Sequence, residues 1–237
     1  MTINNNQAPT TDNIVTQLNS FAEKIQFHKK HSIGYPLNQS SNLDEFYEWY
    51  KNSGLAGIIL NNAGDPKKPS ISSLNSHEFE IEILNFFASL FEFPAQNRWG
   101  LIMPSGSQSN NMGIFFGSRI LAKETGKTPI VYVSSEAHYS ITQLCQLQKL
   151  ECKQIKTSDN GQMLIEDCEH QLDPTRPALL VITIGTTFKG GIDDQYSINQ
   201  VLLDSPPPAT YRHLDAALFG GFLPFSEHSH LVNHHKQ

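Results

Sequence analysis

Four short segments contain most of the residues in this chain that could do chemistry. Each combines hydroxyl, amide, imidazole or carboxylate side chains with glycine, and each follows a stretch of apolar residues. The segments are PSGSQSNN (104–111), SSEAHYS (134–140), GTTFKGG (185–191) and DAALFGG (215–221). Side chains of these types can bind an anion, transfer a proton or balance a buried positive charge.

The first segment favours an anion site. Gly106, Ser107 and Gln108 stand where a loop enters a predicted helix. Backbone N–H groups point outward at a helix N-terminus and the helix dipole favours negative charge there, so these residues could bind a phosphate. No GK[ST] sequence follows, which excludes a Walker motif. A glycine and serine before a helix also form ordinary caps, and that alternative remains open.

The second and fourth segments each contain a side chain that could act on a ligand. His138 follows the apolar run PIVYV and could stack on a flat ligand or exchange a proton, although it could also simply cap the next helix. Asp215 ends another apolar run, where an unpaired carboxylate would be costly. It therefore requires a partner, either a protonated ring nitrogen of a ligand or a basic side chain such as Arg212 or Lys189.

The elements that position these segments alternate along the chain. Apolar runs predict strands at LIMP (101–104), PIVYVS (129–134), CKQIKT (152–157), ALLVITIG (178–185) and YRHLDAAL (211–218), with helical stretches between most of them. Alternating strands and helices predict an α/β fold, with a mostly parallel sheet covered by helices on both faces. Ligands bind such sheets at the carboxyl ends of the strands, where all four segments lie.

Three further helices are predicted before the alternating region, and the shortest of them follows a loop within GYPLNQSSNLDEFYEWYKN (34–52). Val15, Leu18, Phe21 and Ile25 recur at helical spacing after a polar tail, which predicts an amphipathic helix that packs on a partner subunit or on its own domain. The stretch EFEIEILNFFASLFEF (78–93) is apolar on more than one side, and we expect that helix to be largely buried.

Composition narrows the classes of function. The chain has 237 residues, a net charge of -6 and 38% hydrophobic residues, which is ordinary for a soluble globular protein. The acidic balance argues against a nucleic-acid or membrane-surface partner. Cys145, Cys152 and Cys168 form no CxxC pair and no secretion signal precedes them, so we expect reduced thiols, a cytoplasmic location and no metal site.

Taken together, seven segments resemble the group II decarboxylases that depend on pyridoxal 5′-phosphate (PLP), in particular the bacterial histidine decarboxylase branch, with the plant serine decarboxylases close by. They are GYPLN, NNAGDP, SLNSHEFE, WGLIMPSGSQSN, SSEAHYS, IGTTFKGGIDD and HLDAALFGGFLPF, between Gly34 and Phe225. The resemblance implies the fold type I large domain of PLP-dependent transferases. It assigns residues 1–34 to a tail and amphipathic helix and 35–237 to part of the PLP-binding domain, with the C-terminal small domain absent.

The resemblance also implies roles for single residues. His138 is similar to the histidine that stacks on the PLP ring, and Asp215 to the aspartate that pairs with the pyridine nitrogen. The remaining cofactor-binding residues that it implies are Gly106, Ser107, Gln108, Thr187 and His213. Ser105 and Ser109 depart from the family, which usually has glycine at these positions.

The family also needs a lysine that carries PLP as a Schiff base, in a Ser-x-His-Lys or Asn-x-His-Lys pattern well after the aspartate. Lys236 follows Asn233 and His235 and so fits the pattern, but it stands only 21 positions after Asp215, a shorter gap than the family has. We expect the chain to stop before the true lysine, with Lys236 as the alternative candidate.

The predicted function is the decarboxylation of an amino acid in a homodimer or higher oligomer, with histidine as the favoured substrate and serine as the next. Alternatives remain open: an aminotransferase or aldolase on the same fold, an inactive fragment or pseudoenzyme that binds a partner subunit, and, more remotely, a nucleotide-binding module.

Overall fold

The computed structural model describes residues 11–32 and 42–232, and the chain divides into two compact units, Met1–Ile59 and Leu60–Gln237. The polar tail, the GYPLN segment and Lys236 lie outside the described residues. The predicted domain boundary after residue 34 stays a prediction.

The described part of the first unit is helical. It contains α1 (Thr11–His31), α2 (Asp44–Asn52) and a single 3₁₀ turn at Leu55–Gly57. Helix α1 confirms the helix predicted from the spacing of Val15, Leu18, Phe21 and Ile25, and none of its residues is buried.

The second unit contains the alternating strands and helices. Its helices are α3 (His77–Leu90), α4 (Gly106–Thr125), α5 (Ser140–Leu147), α6 (Ile165–Gln171) and α7 (Gln195–Asp204). Its strands are β1 (Ile130–Ser134), β2 (Glu151–Ile155), β3 (Ala178–Thr183) and β4 (Thr210–Asp215). Short 3₁₀ turns occur at Ala95–Asn97, Leu223–Phe225 and Ser229–Val232.

The four strands form one parallel sheet in the order β2-β1-β3-β4. Side chains of β3 alternate between two apolar clusters, with Leu180 and Ile182 in one and Leu179 and Val181 in the other. A strand that is buried on both faces needs apolar residues at every position, which explains the run ALLVI. The predicted α/β fold with a helix-covered parallel sheet is confirmed.

Capping residues explain where two of the helices begin and end. Ser105 caps α4 because its Oγ accepts a hydrogen bond from the backbone N–H of Gln108 at 3.3 Å. Gly126 ends the same helix with φ 71°, a left-handed conformation that glycine adopts without strain. Asp194 caps α7 by accepting the N–H of Ser197 at 3.1 Å.

Two expectations about the segment between residues 77 and 104 are wrong. Leu101–Pro104 is not a strand, because no strand in the described ranges offers it a hydrogen-bonded neighbour. Helix α3 is not largely buried: Phe79 is 60% exposed and Phe86 is 53% exposed. Phe86 stacks on Phe225, which is itself 62% exposed, and the buried residues of the helix are instead the polar His77 and Glu80.

Glu80 explains how the loop before α4 is held. Its Oε1 accepts the backbone N–H of Ile102 at 3.0 Å, and its Oε2 accepts a hydrogen bond from Nδ2 of Asn62 at 3.2 Å. Three segments that are distant in sequence therefore meet at one buried carboxylate, and this contact fixes the path of the chain into α4.

Helix α6 was not anticipated from the sequence. It is only seven residues long, and Cys168 is its single buried residue. So short a helix does not complete two turns, and it therefore shows no apolar periodicity.

Candidate active site

The strand order places a candidate ligand site at one edge of the sheet. The chain runs from β1 outward to β2 and then returns to form β3 on the other side of β1. The direction of winding therefore reverses between β1 and β3, and in open parallel sheets ligands bind at the carboxyl ends of the strands near this point. The segments that follow β1, β3 and β4 all leave the sheet at this edge.

Asp215 is the last residue of β4 and is 6% exposed. Its Oδ2 accepts a hydrogen bond from Nδ2 of Asn110 at 3.0 Å, and its Oδ1 accepts the N–H of Ala217 at 3.3 Å. Both of these donors are neutral. Of the two basic candidates, Lys189 pairs with a different carboxylate, and Arg212, three positions back along the strand, points to the opposite face of the sheet.

His213 lies next to this pair on the same face of β4. Its Nε2 is 2.8 Å from Oδ1 of Asn110, which can only accept, so Nε2 carries the proton. Burial lowers the pKa of His213, and the nearby charge of Asp215 partly opposes that effect. The ring is therefore neutral at pH 7.

Helix α4 brings the predicted anion site against the Asp215 segment. Gly106, Ser107 and Gln108 form its exposed first turn, whose N–H groups no helix can satisfy internally. A Cβ added to Gly106 would lie 3.3 Å from Cβ of Ala217, two residues after Asp215. The start of a twenty-residue helix and a buried carboxylate thus stand side by side.

His138 is half-buried in the loop after β1. The backbone N–H of Ser140 donates to its Nδ1 at 3.3 Å, and Oγ of Ser140 lies 2.8 Å from the same atom. Because an N–H can only donate, Nδ1 is the acceptor and the proton is on Nε2. His138 therefore does help to cap α5, as the alternative interpretation required, and its Nε2–H donates to no residue in the described ranges.

An ion pair joins the loop that carries His138 to the loop after β3. Nζ of Lys189 is 2.8 Å from Oε1 of Glu136. Within the second loop Thr186 is buried, and its Oγ1 accepts the N–H of Gly191 at 2.9 Å, whereas the predicted cofactor residue Thr187 is exposed. The role of Thr187 stays a prediction.

Asp193 holds the end of β3 in place. It is 1% exposed, and its two oxygens accept the N–H groups of Met163 and Thr183, each at 2.8 Å. Burial raises the pKa of this carboxyl to about 6, and the two N–H groups only partly oppose the rise. Asp194, rather than Asp193, caps α7.

Sequence reasoning missed two residues of this site. Asn110 lies within the first segment but was not singled out, although it stands one helical turn from Gly106 and so faces the same side. Thr183 is the register partner of Asp215 in the neighbouring strand, is buried, and its Oγ1 has no hydrogen-bond partner in the part of the chain that the structure describes. Its place at the end of an apolar strand was the available signal.

The described ranges contain neither a metal-binding cluster nor a membrane-spanning helix. No group of three His, Cys, Asp or Glu side chains could hold a metal ion there. No helix there is both long and apolar enough to cross a bilayer. Lys236, the candidate Schiff-base residue, lies outside these ranges.

The chain is similar in sequence to a known protein family. The model of the pyridoxal-dependent decarboxylase conserved domain matches residues 71–234. The chain is 34% identical over 230 residues to a histidine decarboxylase of Solanum lycopersicum, with 95% of this chain and 52% of that protein covered. It is 30% identical over 222 residues to serine decarboxylase 2 of Oryza sativa subsp. japonica, with 91% of this chain and 44% of that protein covered.

A solved structure shows the same fold. The L-methionine decarboxylase of Streptomyces sp. 590 superposes with a TM-score of 0.78 at 17% identity, over 93% of this chain and 58% of that chain. The chain thus spans about half the length of the curated relatives it matches. Because the family model covers more than half of the chain, the protein belongs to the pyridoxal-dependent decarboxylase family, whose cofactor is PLP.

Proposed function

We propose that the protein acts as a PLP-dependent amino-acid decarboxylase that converts histidine to histamine and CO2. The observation that carries the proposal is the position of Asp215, a buried carboxylate held by neutral donors directly beside the exposed first turn of a long helix. A flat ligand with a cationic ring for Asp215 and an anionic group for the first turn of α4 would match this pairing. PLP has both, in its pyridinium ring and its phosphate.

The residues present fit the cofactor. The first turn of α4 would hold the phosphate through the backbone N–H groups of Gly106 and Ser107, since that of Gln108 already donates to Oγ of Ser105. Among the residues that the structure describes, Oδ1 of Asp215 accepts only the long bond from Ala217, which leaves lone pairs for a ring N–H. Bound PLP supplies an electron sink for the pair of electrons left by the departing carboxylate.

The protein groups have separate tasks in this proposal. Asp215 keeps a proton on the ring nitrogen and so preserves the strength of the sink. His138 would stack on the ring, and its Nε2–H, fixed by the two contacts of Nδ1 with Ser140, can donate to the substrate carboxylate. The ion pair of Lys189 with Glu136 limits the movement of the loop that carries His138.

Two finer parts of the proposal rest on relatives. Histidine is favoured as the substrate because the relative from Solanum lycopersicum, at 34% identity, is named a histidine decarboxylase. Serine is the second candidate, because a serine decarboxylase matches at 30%. Lys236 is kept as the alternative candidate for the lysine that anchors PLP, since it stands only 21 positions after Asp215, a shorter gap than the family has.

The test combines cofactor binding with product analysis. The purified chain is mixed with PLP, treated with borohydride and mapped by peptide mass spectrometry, and a parallel sample receives carboxyl-labelled histidine or serine. We expect labelled CO2 with histamine from histidine. Asp215→Ala should abolish release, whereas Asp204→Ala, which changes an exposed aspartate at the end of α7, should not.

Each other outcome has a meaning. Ethanolamine formed from serine would identify serine as the substrate, and the reaction would still be a decarboxylation. A keto acid would show an aminotransferase. PLP binding without release of CO2 would support an inactive, partner-binding chain, and no PLP binding would refute the proposal for this chain.

We also propose a homodimer in the cytoplasm. The apolar residues of α1 are exposed and can be covered by a second copy. All three cysteines are free thiols, which suits a reducing compartment.

A further inference from the structure

We propose that Asn110 is a positioning residue that holds the Asp215 carboxylate for the ring nitrogen of the cofactor, and that His213 fixes the orientation of the Asn110 amide. This inference rests on the proposed function. Its basis is a chain of two hydrogen bonds, 2.8 Å from Nε2 of His213 to Oδ1 of Asn110 and 3.0 Å from Nδ2 of Asn110 to Oδ2 of Asp215.

The order of donors and acceptors follows from chemistry. An ionised carboxylate can only accept, so Asn110 must turn its NH2 group toward Asp215. Its carbonyl oxygen then faces His213, which must supply a proton from Nε2. If the amide were reversed, its oxygen would face the carboxylate and two acceptors would repel each other.

Because Asn110 is buried, its hydrogen bonds decide which oxygen of Asp215 stays available to the cofactor. Asn110 is 5% exposed, so a hydrogen bond that it lost would not be replaced by water. With Oδ2 occupied by Asn110, the Oδ1 atom of Asp215 is the oxygen left for the ring nitrogen. Without Asn110, the carboxylate would keep only the 3.3 Å bond from the N–H of Ala217 and could rotate.

The close packing of α4 on β4 provides a way to disturb this network without changing any of its members. A Cβ on Gly113 would lie 2.4 Å from Nδ1 of His213. Gly113→Ala therefore requires the His213 ring or α4 to move, and either movement disturbs the 2.8 Å hydrogen bond between His213 and Asn110. Gly117, one turn further along α4, has the same relation to Tyr211, with a Cβ contact of 2.5 Å, so Gly117→Ala is a matched control for strain between the same two elements.

The experiment compares two ligands. One is PLP, and the other is its analogue in which carbon replaces the ring nitrogen, which an Asp215 carboxylate cannot recognise. Dissociation constants are measured by fluorescence titration for wild type, Asn110→Ala, Gly113→Ala and Gly117→Ala. Urea unfolding of each variant confirms that it is folded.

We expect wild type to prefer PLP over the carbon analogue. Asn110→Ala and Gly113→Ala should lose about tenfold in PLP affinity, the usual effect of one hydrogen bond to a charged group, and should change little toward the analogue. Gly117→Ala should keep the preference. If Asn110 had only a structural role, Asn110→Ala would lower the affinity for both ligands to the same extent, and that result would overturn the inference.

The outcomes separate this inference from the proposed function. If wild type prefers PLP and both Asn110→Ala and Gly113→Ala keep that preference, the inference fails while the proposed function stands. If wild type shows no preference, the proposed function fails together with the role of Asn110 toward the ring nitrogen, and nitrogen-15 NMR of His213 in the chain without cofactor decides the remaining part, the orientation of the Asn110 amide by His213. A proton on Nε2 in wild type that becomes shared between the two ring nitrogens in Asn110→Ala supports it, and any other pattern overturns it.

Discussion

The raised pKa of the buried Asp193 carboxyl predicts how the free energy of unfolding changes with pH. Its pKa rises from the ordinary value of 3.8 to about 6 because burial penalises the charged form. In the unfolded chain the group ionises near its ordinary value. Between these two pKa values the folded state keeps a proton that the unfolded state has released, so stability falls as pH rises through this window.

The size of the effect follows from the two pKa values. A difference of about two units corresponds to about 3 kcal/mol of lost stability once the pH is well above 6. About 1 kcal/mol of this loss falls between pH 5 and pH 7, where urea unfolding can measure it. The carboxyls of Asp65, Asp167 and Asp173 have lowered pKa values and act in the opposite direction, so the wild-type curve alone does not isolate Asp193.

Asp193→Asn isolates the effect. The amide cannot ionise, but it can accept only one of the two N–H groups from Met163 and Thr183 and leaves the other unpaired, at a cost of about 1–3 kcal/mol. That cost does not depend on pH. We therefore expect the variant to gain about 1 kcal/mol relative to wild type between pH 5 and pH 7.

Urea unfolding followed by circular dichroism at the two pH values gives the required difference. Asp204→Asn, on an exposed surface, serves as the control and should show no such gain. If the difference in unfolding free energy between wild type and Asp193→Asn is the same at both pH values, or changes in the opposite direction, the argument from burial is wrong.

Two further predictions concern other parts of the chain. Glu80→Gln should lower the free energy of unfolding by about 1.5–3 kcal/mol, because its amide loses one of two buried hydrogen bonds to a charged group; the exposed Glu82→Gln should change it by less than about 0.5 kcal/mol in the same urea assay. For the proposed dimer, glutamate at Leu18 and Phe21 should shift sedimentation velocity toward the monomer, whereas Ser20→Glu on the opposite face of α1 should not; a monomeric wild type would contradict the dimer.

Much of the fold could be predicted from local sequence. The run ALLVI shows a strand buried on both faces, and the glycine at position 126 marks the end of α4. Such features depend on neighbouring residues within one element, and each element shows its own period of two or 3.6 residues. The alternation of these elements was enough to predict a parallel sheet and to place the candidate residues at its carboxyl edge.

The same local patterns were misleading where an element depends on a distant neighbour. Leu101–Pro104 has the composition of a strand, but a strand exists only where another backbone pairs with it. Helix α3 has the composition of a buried helix, but the described residues leave Phe79 and Phe86 more than half exposed. Composition reports the tendency of a segment to be buried, and only the rest of the fold decides whether it is.

The candidate site also combines features that the local sequence predicts with features that depend on distant residues. By itself the sequence determined that Asp215 ends an apolar strand and so needs a partner, and that Gly106 starts a helix suited to an anion. Only the tertiary structure decided that Asn110 reaches Asp215 across 105 positions of sequence and that His213 completes the network. The physical reason is that a hydrogen bond requires two groups within about 3 Å of each other, and the packing of α4 on β4 creates that proximity.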